Sequence, residues 1–200
     1  YFEINVRGTF NVLEAVRKTS ILRQLIFASS DALFDKYVSG GMERPITEET
    51  PSLPRGAYAL SKEMGERQCL GYARSYALPT TVLRFAMVRA ADEIISFPQF
   101  FLSEMKASYH ELEDVWEGEE RLVLLRDKQG RPFKKHIADV RDIVHGSLCA
   151  LDVERAIGQV YQLAGPTPFN WEEAVRHLNK LLDIPIVDVA VDGIPTHYEF

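Results

Sequence analysis

A tyrosine and a lysine four residues apart form the pattern in this sequence that most directly implies chemistry. In the run Tyr58-Ala-Leu-Ser-Lys62 both side chains share one face if the segment is helical. A lysine ammonium beside a phenol favours the phenolate, which lets a tyrosine act as a general acid or base near neutral pH. The same spacing also arises on solvated helix faces, so a second signal is needed to choose between the two interpretations.

Ser30 supplies a candidate second signal. It ends the apolar run Gln24-Leu-Ile-Phe-Ala-Ser-Ser30, which predicts a strand buried on both faces in a parallel sheet. Ligand sites form at the carboxyl ends of such strands, where a serine can hydrogen-bond the oxygen that Tyr58 protonates or deprotonates. The alternative is a turn residue whose side chain caps the local backbone.

The elements that must position these residues can be read from hydrophobic periodicity. Val6, Phe10 and Leu13 have the spacing of one helix face, and Asn170 is a predicted helix N-cap. The Gly- and Pro-rich segment 31–56 is predicted to be a long functional loop. The order helix, strand, loop, helix, strand predicts an α/β doubly wound sheet. Predicted helices span about residues 2–18, 57–76, 93–110, 139–152 and 170–182, and predicted strands span 24–30, 80–86, 121–125 and 159–163.

Composition restricts the class of partner. The 200 residues are 46% hydrophobic and 26% charged, with a formal net charge of −6, which is typical of a soluble globular protein and argues against nucleic acid as a partner. No apolar run approaches the roughly 20 residues that span a bilayer, and no signal peptide opens the chain. Cys69 and Cys149 lie in predicted helices, so we expect no disulfide framework and a reducing cytoplasm.

We expect no metal site, because the sequence has no spaced carboxylate loop and no His/Cys cluster. His136 is expected to hydrogen-bond backbone rather than a metal. Phe97, Phe100 and Phe101 are expected in a core or subunit contact rather than at a substrate.

Several separated motifs occur in the order in which one family carries them. Ile26-Phe-Ala-Ser-Ser30, Tyr58-x-x-x-Lys62 and Leu83-Arg84-Phe85 resemble the extended short-chain dehydrogenases/reductases. More narrowly, they resemble the NAD-dependent epimerase/dehydratase family, which acts on nucleotide sugars. The same family is matched by Asn5-Val-x-Gly8-Thr9-x-Asn11, by Phe133-x-x-His136-Ile-x-Asp139 and by Gly158-x-Val-Tyr161.

The resemblance implies a role for each matching residue. Tyr58 would be the acid/base, Lys62 would bind the nicotinamide ribose and tune Tyr58, and Ser30 would orient the reacting oxygen. The implied cofactor is NAD or NADP, with NAD favoured. Implied cofactor-binding residues are Asn5, Ala28, Ser29, Tyr58, Lys62, Phe85 and Ala86, and implied substrate-binding residues are Ser30, Asp31, Met87 and Arg131.

The resemblance also implies an architecture. We expect a Rossmann-like doubly wound parallel sheet that lacks its first strands, with a small C-terminal α/β substrate lobe. Residues 1–90 would form the C-terminal half of the Rossmann domain, and 91–200 mainly the substrate lobe, with some segments returning to the sheet. A homodimer is expected through the helices near 2–18 and 57–76.

Three departures from the family pattern bear on function. No Gly-x-x-Gly-x-x-Gly or Gly-x-Gly-x-x-Gly occurs, so the pyrophosphate-binding turn is absent, which predicts a truncated chain that is inactive by itself. Met87 stands where the family commonly has an Asn that contacts substrate. The nucleotide-binding Arg is displaced to Arg131 or replaced by Pro132, and Lys134 and Lys135 are either substitute phosphate partners or a solvated strand end.

Three functions remain open at this point. The first is an NAD(P)-dependent epimerase or dehydratase that acts on a sugar or nucleotide sugar by hydride transfer. The second is an NAD(P)H-dependent carbonyl reductase or hydroxysteroid-type dehydrogenase, which Met87 would suit. The third is a non-catalytic nucleotide-sensing or scaffolding member of the fold.

Overall fold

The protein is organised around a three-stranded parallel sheet with the strand order β1-β2-β7. The computed structural model describes residues 1–19, 21–192 and 197–200. The strands are β1 (Leu25–Ser30), β2 (Thr80–Phe85), β3 (Met87–Arg89), β4 (Leu122–Arg126), β5 (Lys134–Lys135), β6 (Ile137–Asp139), β7 (Val160–Leu163), β8 (Phe169–Asn170) and β9 (Ile186–Ala190). The helices are α1 (Gly8–Arg17), α2 (Gly56–Tyr76), α3 (Ala91–Ile94), α4 (Leu102–Met105), α5 (His110–Glu113), α6 (Val140–Ala150) and α7 (Trp171–Leu182).

The parallel sheet and its helices confirm the predicted α/β fold class. β1 runs parallel to β2 and β2 runs parallel to β7, so their carboxyl ends meet at one edge of the sheet. The predicted strand 24–30 and helix 57–76 match β1 and α2 to within a residue. β2 is almost wholly buried. β1 is largely half-buried, however, because within the described residues it pairs with β2 alone; its predicted burial on both faces was wrong.

The N-terminal segment differs from an ordinary helix. Phe2–Arg7 is wound as a π-helix that continues into α1. Val6 and Leu13 are buried as predicted, whereas Phe10 is exposed. Phe10 instead keeps its ring at the surface, edge-on to Tyr72 of α2 at 6.4 Å.

Residues 91–130 are the part of the chain that local pattern predicted least well. In place of one helix over 93–110, the chain forms the short helices α3, α4 and α5 and a 3-10 turn at Pro98–Phe100. Pro98 lacks a backbone N–H and opens that turn, which ends any continuous helix. Phe97 and Phe100 are nevertheless buried, as expected for core residues.

A second packing unit lies around the parallel pair β4 and β9. Its core combines the 3-10 turn, β4 and α7, with Trp171 donating its indole N–H to the Val123 carbonyl at 3.2 Å. Asn170 is the N-cap of α7, since its Oδ1 accepts the Glu172 N–H at 2.9 Å, as predicted. β7 and α6 return from this region to the main sheet. Among the described helices, none is both long enough and apolar enough to cross a membrane.

Candidate active site

Ser30 ends β1 and begins a 3-10 turn at Asp31–Leu33. Its Oγ accepts the Ala32 N–H at 3.1 Å, and its hydroxyl lies 3.5 Å from Asp31 Oδ1. The side chain therefore caps the local backbone, as one interpretation of the sequence expected. It also lines a cavity of about 980 Å³, which we call the Ser30–Tyr58 cavity.

α2 carries Tyr58 and Lys62 on successive turns above β1. The Lys62 ammonium donates to the Ala28 carbonyl at 2.9 Å and lies 5.9 Å from the centre of the Tyr58 ring. Burial lowers the pKa of Lys62 from its ordinary value. Tyr58 keeps 39% of its surface exposed, and its ring packs edge-on against Tyr1 at 5.5 Å. The lysine is thus anchored to the carboxyl end of β1 while the tyrosine reaches the cavity.

A glycine on α2 leaves room for the Phe27 ring of β1. A Cβ added at Gly65 would fall 2.4 Å from the Phe27 ring, a distance that no ordinary packing permits. The helix is also fixed to β2 by a buried bidentate ion pair, in which Arg84 donates to both Glu66 oxygens at 2.9 and 2.8 Å. These contacts set the position of Tyr58 relative to Ser30.

The Ser30–Tyr58 cavity is walled by the ends of β1 and β2, by β3, by the start of α2 and by the loop after β1. Seven of the sequence-predicted site residues line it: Ser29, Ser30, Asp31, Tyr58, Phe85, Ala86 and Met87. Ala28 and Lys62 are joined to this group through their hydrogen bond. The fold therefore brings residues far apart in sequence to one sheet edge, as expected where parallel strands end.

Asn5 and Arg131 do not line this cavity. The Asn5 amide donates to Ser61 Oγ at 2.9 Å. Arg131 lines a separate cavity of about 840 Å³, and its Nε donates to Asp127 Oδ2 at 2.6 Å. Its expected grouping with Ser30, Asp31 and Met87 is therefore not what the structure shows, because Arg131 is held by an aspartate of its own turn.

Sequence reasoning missed two cations of the cavity, and it left a third nearby cation, Lys135, open between a phosphate partner and a solvated strand end. Lys36 is buried in an ion pair with Asp31, and Arg89 lines the same cavity from β3. Lys135 is only 3% exposed, whereas its neighbour Lys134 is exposed and pairs with Glu199. The expectation of a solvated strand end therefore holds for Lys134, which is exposed, and is wrong for Lys135, which is buried. Side chains alternate between the two faces of a strand, and this alternation along β5 is the signal that could have separated the two lysines.

His136 has both ring nitrogens engaged with backbone. Its Nε2 lies 2.8 Å from the Gly165 carbonyl, and its Nδ1 accepts the Phe200 N–H at 2.9 Å. The prediction that this histidine hydrogen-bonds backbone is confirmed. It fastens the last residues of the chain beside the cavity wall.

Known proteins with similar sequences or folds show which family this chain belongs to. Residues 1–164 match the profile of the NAD dependent epimerase/dehydratase family. A short-chain dehydrogenase/reductase superfamily protein from Agrobacterium tumefaciens, solved with bound NAD, is 32% identical with a TM-score of 0.86, covering 99% of this chain and 65% of that one. A dTDP-glucose 4,6-dehydratase from Bacillus anthracis, solved with NAD, is 26% identical with a TM-score of 0.69, covering 100% of this chain and 59% of that one.

A curated relative extends the comparison. The UDP-N-acetyl-alpha-D-glucosaminuronate decarboxylase of Bacillus cytotoxicus is 27% identical over 190 residues, which are 90% of this chain and 52% of the relative. The chain thus spans about half the length of that relative. The matched profile covers β1, α2 and the other strands that carry the cavity, and the chain belongs to the NAD dependent epimerase/dehydratase family.

Proposed function

We propose that this chain carries the proton-transfer half of an NAD(P)-dependent enzyme that modifies a sugar or nucleotide sugar. The observation that carries the proposal is the Ser30–Tyr58 cavity, in which a serine and a tyrosine face common space while Lys62 is fixed beside the tyrosine ring. The relatives named above, a nucleotide-sugar dehydratase and decarboxylase, support the substrate class.

The residues present fit a nicotinamide cofactor. Ser29 lines the cavity, and within the described residues its buried Oγ has no hydrogen-bond partner, a state that buried polar atoms rarely tolerate without a ligand. Phe85 and Ala86 offer an apolar wall next to it. We propose that these residues, with Tyr58 and Lys62, hold the nicotinamide end of NAD or NADP.

The chain's own residues would perform the acid/base work. When bound, the nicotinamide accepts or supplies the hydride. Tyr58 would take the proton from the substrate hydroxyl during oxidation and return it during reduction. Ser30 would donate a hydrogen bond to the same oxygen, since its Oγ is already oriented by the Ala32 N–H. Lys62, anchored on Ala28, would keep its positive charge beside the Tyr58 ring and bind the nicotinamide ribose.

The test is Tyr58→Phe in the full natural polypeptide, with Tyr76→Phe on the same helix as a matched control. We expect Tyr58→Phe to lower kcat roughly 100- to 10,000-fold, the usual value of general acid–base catalysis. NAD affinity should fall by no more than about 10-fold, because only one hydroxyl is lost from the cofactor contacts. Sugar turnover is followed by NMR and nicotinamide reduction by absorbance, while NAD binding is measured by calorimetry. Unchanged turnover in Tyr58→Phe would favour a non-catalytic member of the fold.

A carbonyl reductase is the second candidate function. Met87 gives the cavity an apolar side chain where the family commonly has a substrate-binding Asn, which suits a less polar ketone. Net consumption of NAD(P)H with a ketone would favour this candidate, because an epimerase returns its cofactor to the starting state in every cycle.

We also propose the domain division and assembly expected from the sequence. Residues 1–90 would carry the proton-transfer groups and 91–200 would mainly shape the substrate side, with β7 returning to the sheet. A homodimer through the N-terminal helix and α2 is supported by exposed apolar side chains on these elements, which include Phe2, Ile4, Phe10, Leu60 and Met64.

A further inference from the structure

The Ser30–Tyr58 cavity has one more cation than its own carboxylates neutralise. Of the two acidic residues in its wall, Asp31 pairs with Lys36, and Asp35 accepts from Arg55 at 2.5 Å. Arg89 is left over. Its guanidinium donates to the Val88 carbonyl at 3.1 Å and lies 5.1 Å from the Phe97 ring centre, and within residues 1–19, 21–192 and 197–200 it forms no ion pair.

Lys135 is a second cation without a carboxylate. It is 3% exposed, and its ammonium has a single polar contact among the described residues, Gln99 Oε1 at 3.5 Å. Burial, together with the positive charges of Lys36 and Arg89 and against the pull of Asp31, lowers the pKa of Lys135 to about 8. A buried ammonium that lacks a counter-ion is costly, so its retention calls for an explanation.

Arg89 and Lys135 belong to one place in the fold. Both side chains approach the Phe97 ring, at 5.1 and 5.9 Å, although they come from different strands. A guanidinium is suited to bidentate binding of a carboxylate or phosphate group, and an ammonium that approaches the same ring adds a second positive charge nearby. Arg89 lines the same cavity as Ser30 and Tyr58, so an anion that reaches Arg89 would be carried by the reacting part of the substrate. Lys135 is not among the residues that line this cavity, and it would add its charge from beside the Phe97 ring.

We propose that Arg89 and Lys135 form an anion-binding subsite, which receives an acidic substituent carried by the reacting sugar itself: the carboxylate of a sugar acid or a phosphate on the sugar ring. The inference rests on the proposed function and narrows it. The subsite supplies the missing counter-ion to both cations, and it selects an acidic sugar over a neutral one of the same size.

The test measures binding rather than turnover. The full natural polypeptide carrying Tyr58→Phe is loaded with NAD and titrated by calorimetry with D-glucuronate, D-glucose 6-phosphate and D-glucose. We expect at least one acidic sugar to bind roughly 10-fold or more tightly than glucose, as a charge-assisted contact provides. The acid that binds more tightly identifies the substituent as carboxylate or phosphate.

Three further variants test whether Arg89 and Lys135 cause the preference for acidic sugars. Arg89→Met and Lys135→Met should each remove most of the preference for the acidic sugar and leave the affinity for glucose unchanged. Lys134→Met, at the adjacent exposed position, should leave the preference intact. If Lys135→Met fails to fold, the half-exposed Arg89 still provides the test.

Two results would overturn the subsite. One is equal affinity for all three sugars, and the other is loss of the preference in Lys134→Met as large as in Arg89→Met. Failure of the proposed function would give a different result. The wild-type protein would then show no hydride transfer with any of the sugars, including those that bind.

Discussion

In the proposed anion subsite, Lys135 is a residue that would reduce stability in return for binding. Its neighbour Lys134 reaches solvent and an ion-pair partner, whereas Lys135 lies buried with no carboxylate bonded to it among the described residues. Most buried lysines are paired. A position that opposes the charge of its own side chain is typical of a functional site, where local stability is given up for ligand binding.

The stability effect gives a prediction at this residue. The folded-state pKa of Lys135 is about 8 against an ordinary value of 10.5, so below pH 8 the folded protein carries the full penalty of a buried charge. We expect Lys135→Met to raise the free energy of unfolding at pH 7, on the order of 2 kcal/mol. Denaturant titration of both proteins measures this difference.

The pH dependence provides the control for that prediction. Between pH 8 and 10.5 the unfolded wild-type chain binds more protons at this lysine than the folded chain, so wild-type stability rises with pH relative to the variant. The advantage of Lys135→Met should therefore shrink across this window. A variant that is less stable than wild type at pH 7 would show that Lys135 has a structural role instead.

At the scale of the element, the packing of α2 against β1 controls the site. Lys62 bonds the Ala28 carbonyl, Gly65 faces Phe27, and Glu66 binds Arg84 of β2. One helix thus makes three contacts with the two strands whose ends form the cavity. Its distance from the sheet determines where the Tyr58 hydroxyl lies.

Two glycines of α2 test this dependence. Gly65→Ala places a methyl group 2.4 Å from the Phe27 ring, and we expect it to cost about 1–3 kcal/mol of stability and to lower kcat by displacing the helix. Gly71→Ala meets nothing within 4 Å and should stabilise the helix by about 0.5–1 kcal/mol. Thermal unfolding and turnover of both variants decide the matter. Equal stability and equal turnover of the two variants would show that the Phe27 ring does not require a glycine at position 65.

At the scale of the whole molecule, the proposed homodimer depends on the outer face of the same helix. Leu60 and Met64 are four residues apart on α2 and both are exposed, so they share one face. We expect Leu60→Asp to convert a dimer into a monomer, because a charge is buried without a partner at the contact. Sedimentation velocity measures the change.

An exposed apolar residue elsewhere serves as the comparison. Leu181 on α7 is 58% exposed, and Leu181→Asp should leave the sedimentation coefficient unaltered. Monomeric wild-type protein would refute the homodimer outright.

Much of the fold followed from the sequence, for a local reason. β1, α2, β2, α6 and α7 were predicted within about two residues, because each carries an apolar period, a cap or a motif within a short window. The fold class and family followed from the order of those motifs. Ser30, Tyr58 and Lys62 were named as candidates on the same grounds, and their catalytic roles stay a prediction.

The remainder was decided by contacts between distant segments. Nothing near β4 announces that it pairs with β9 about sixty residues later, and nothing near Arg131 separates it from the cavity that Arg89 enters. Two adjacent lysines look alike in the sequence, yet strand alternation in the folded chain buries one and exposes the other. Sequence alone predicted β1, α2, β2, α6 and α7, and it named residues that could do chemistry. Tertiary structure determined which charges lose their water and their partners, because burial depends on what the rest of the chain packs against.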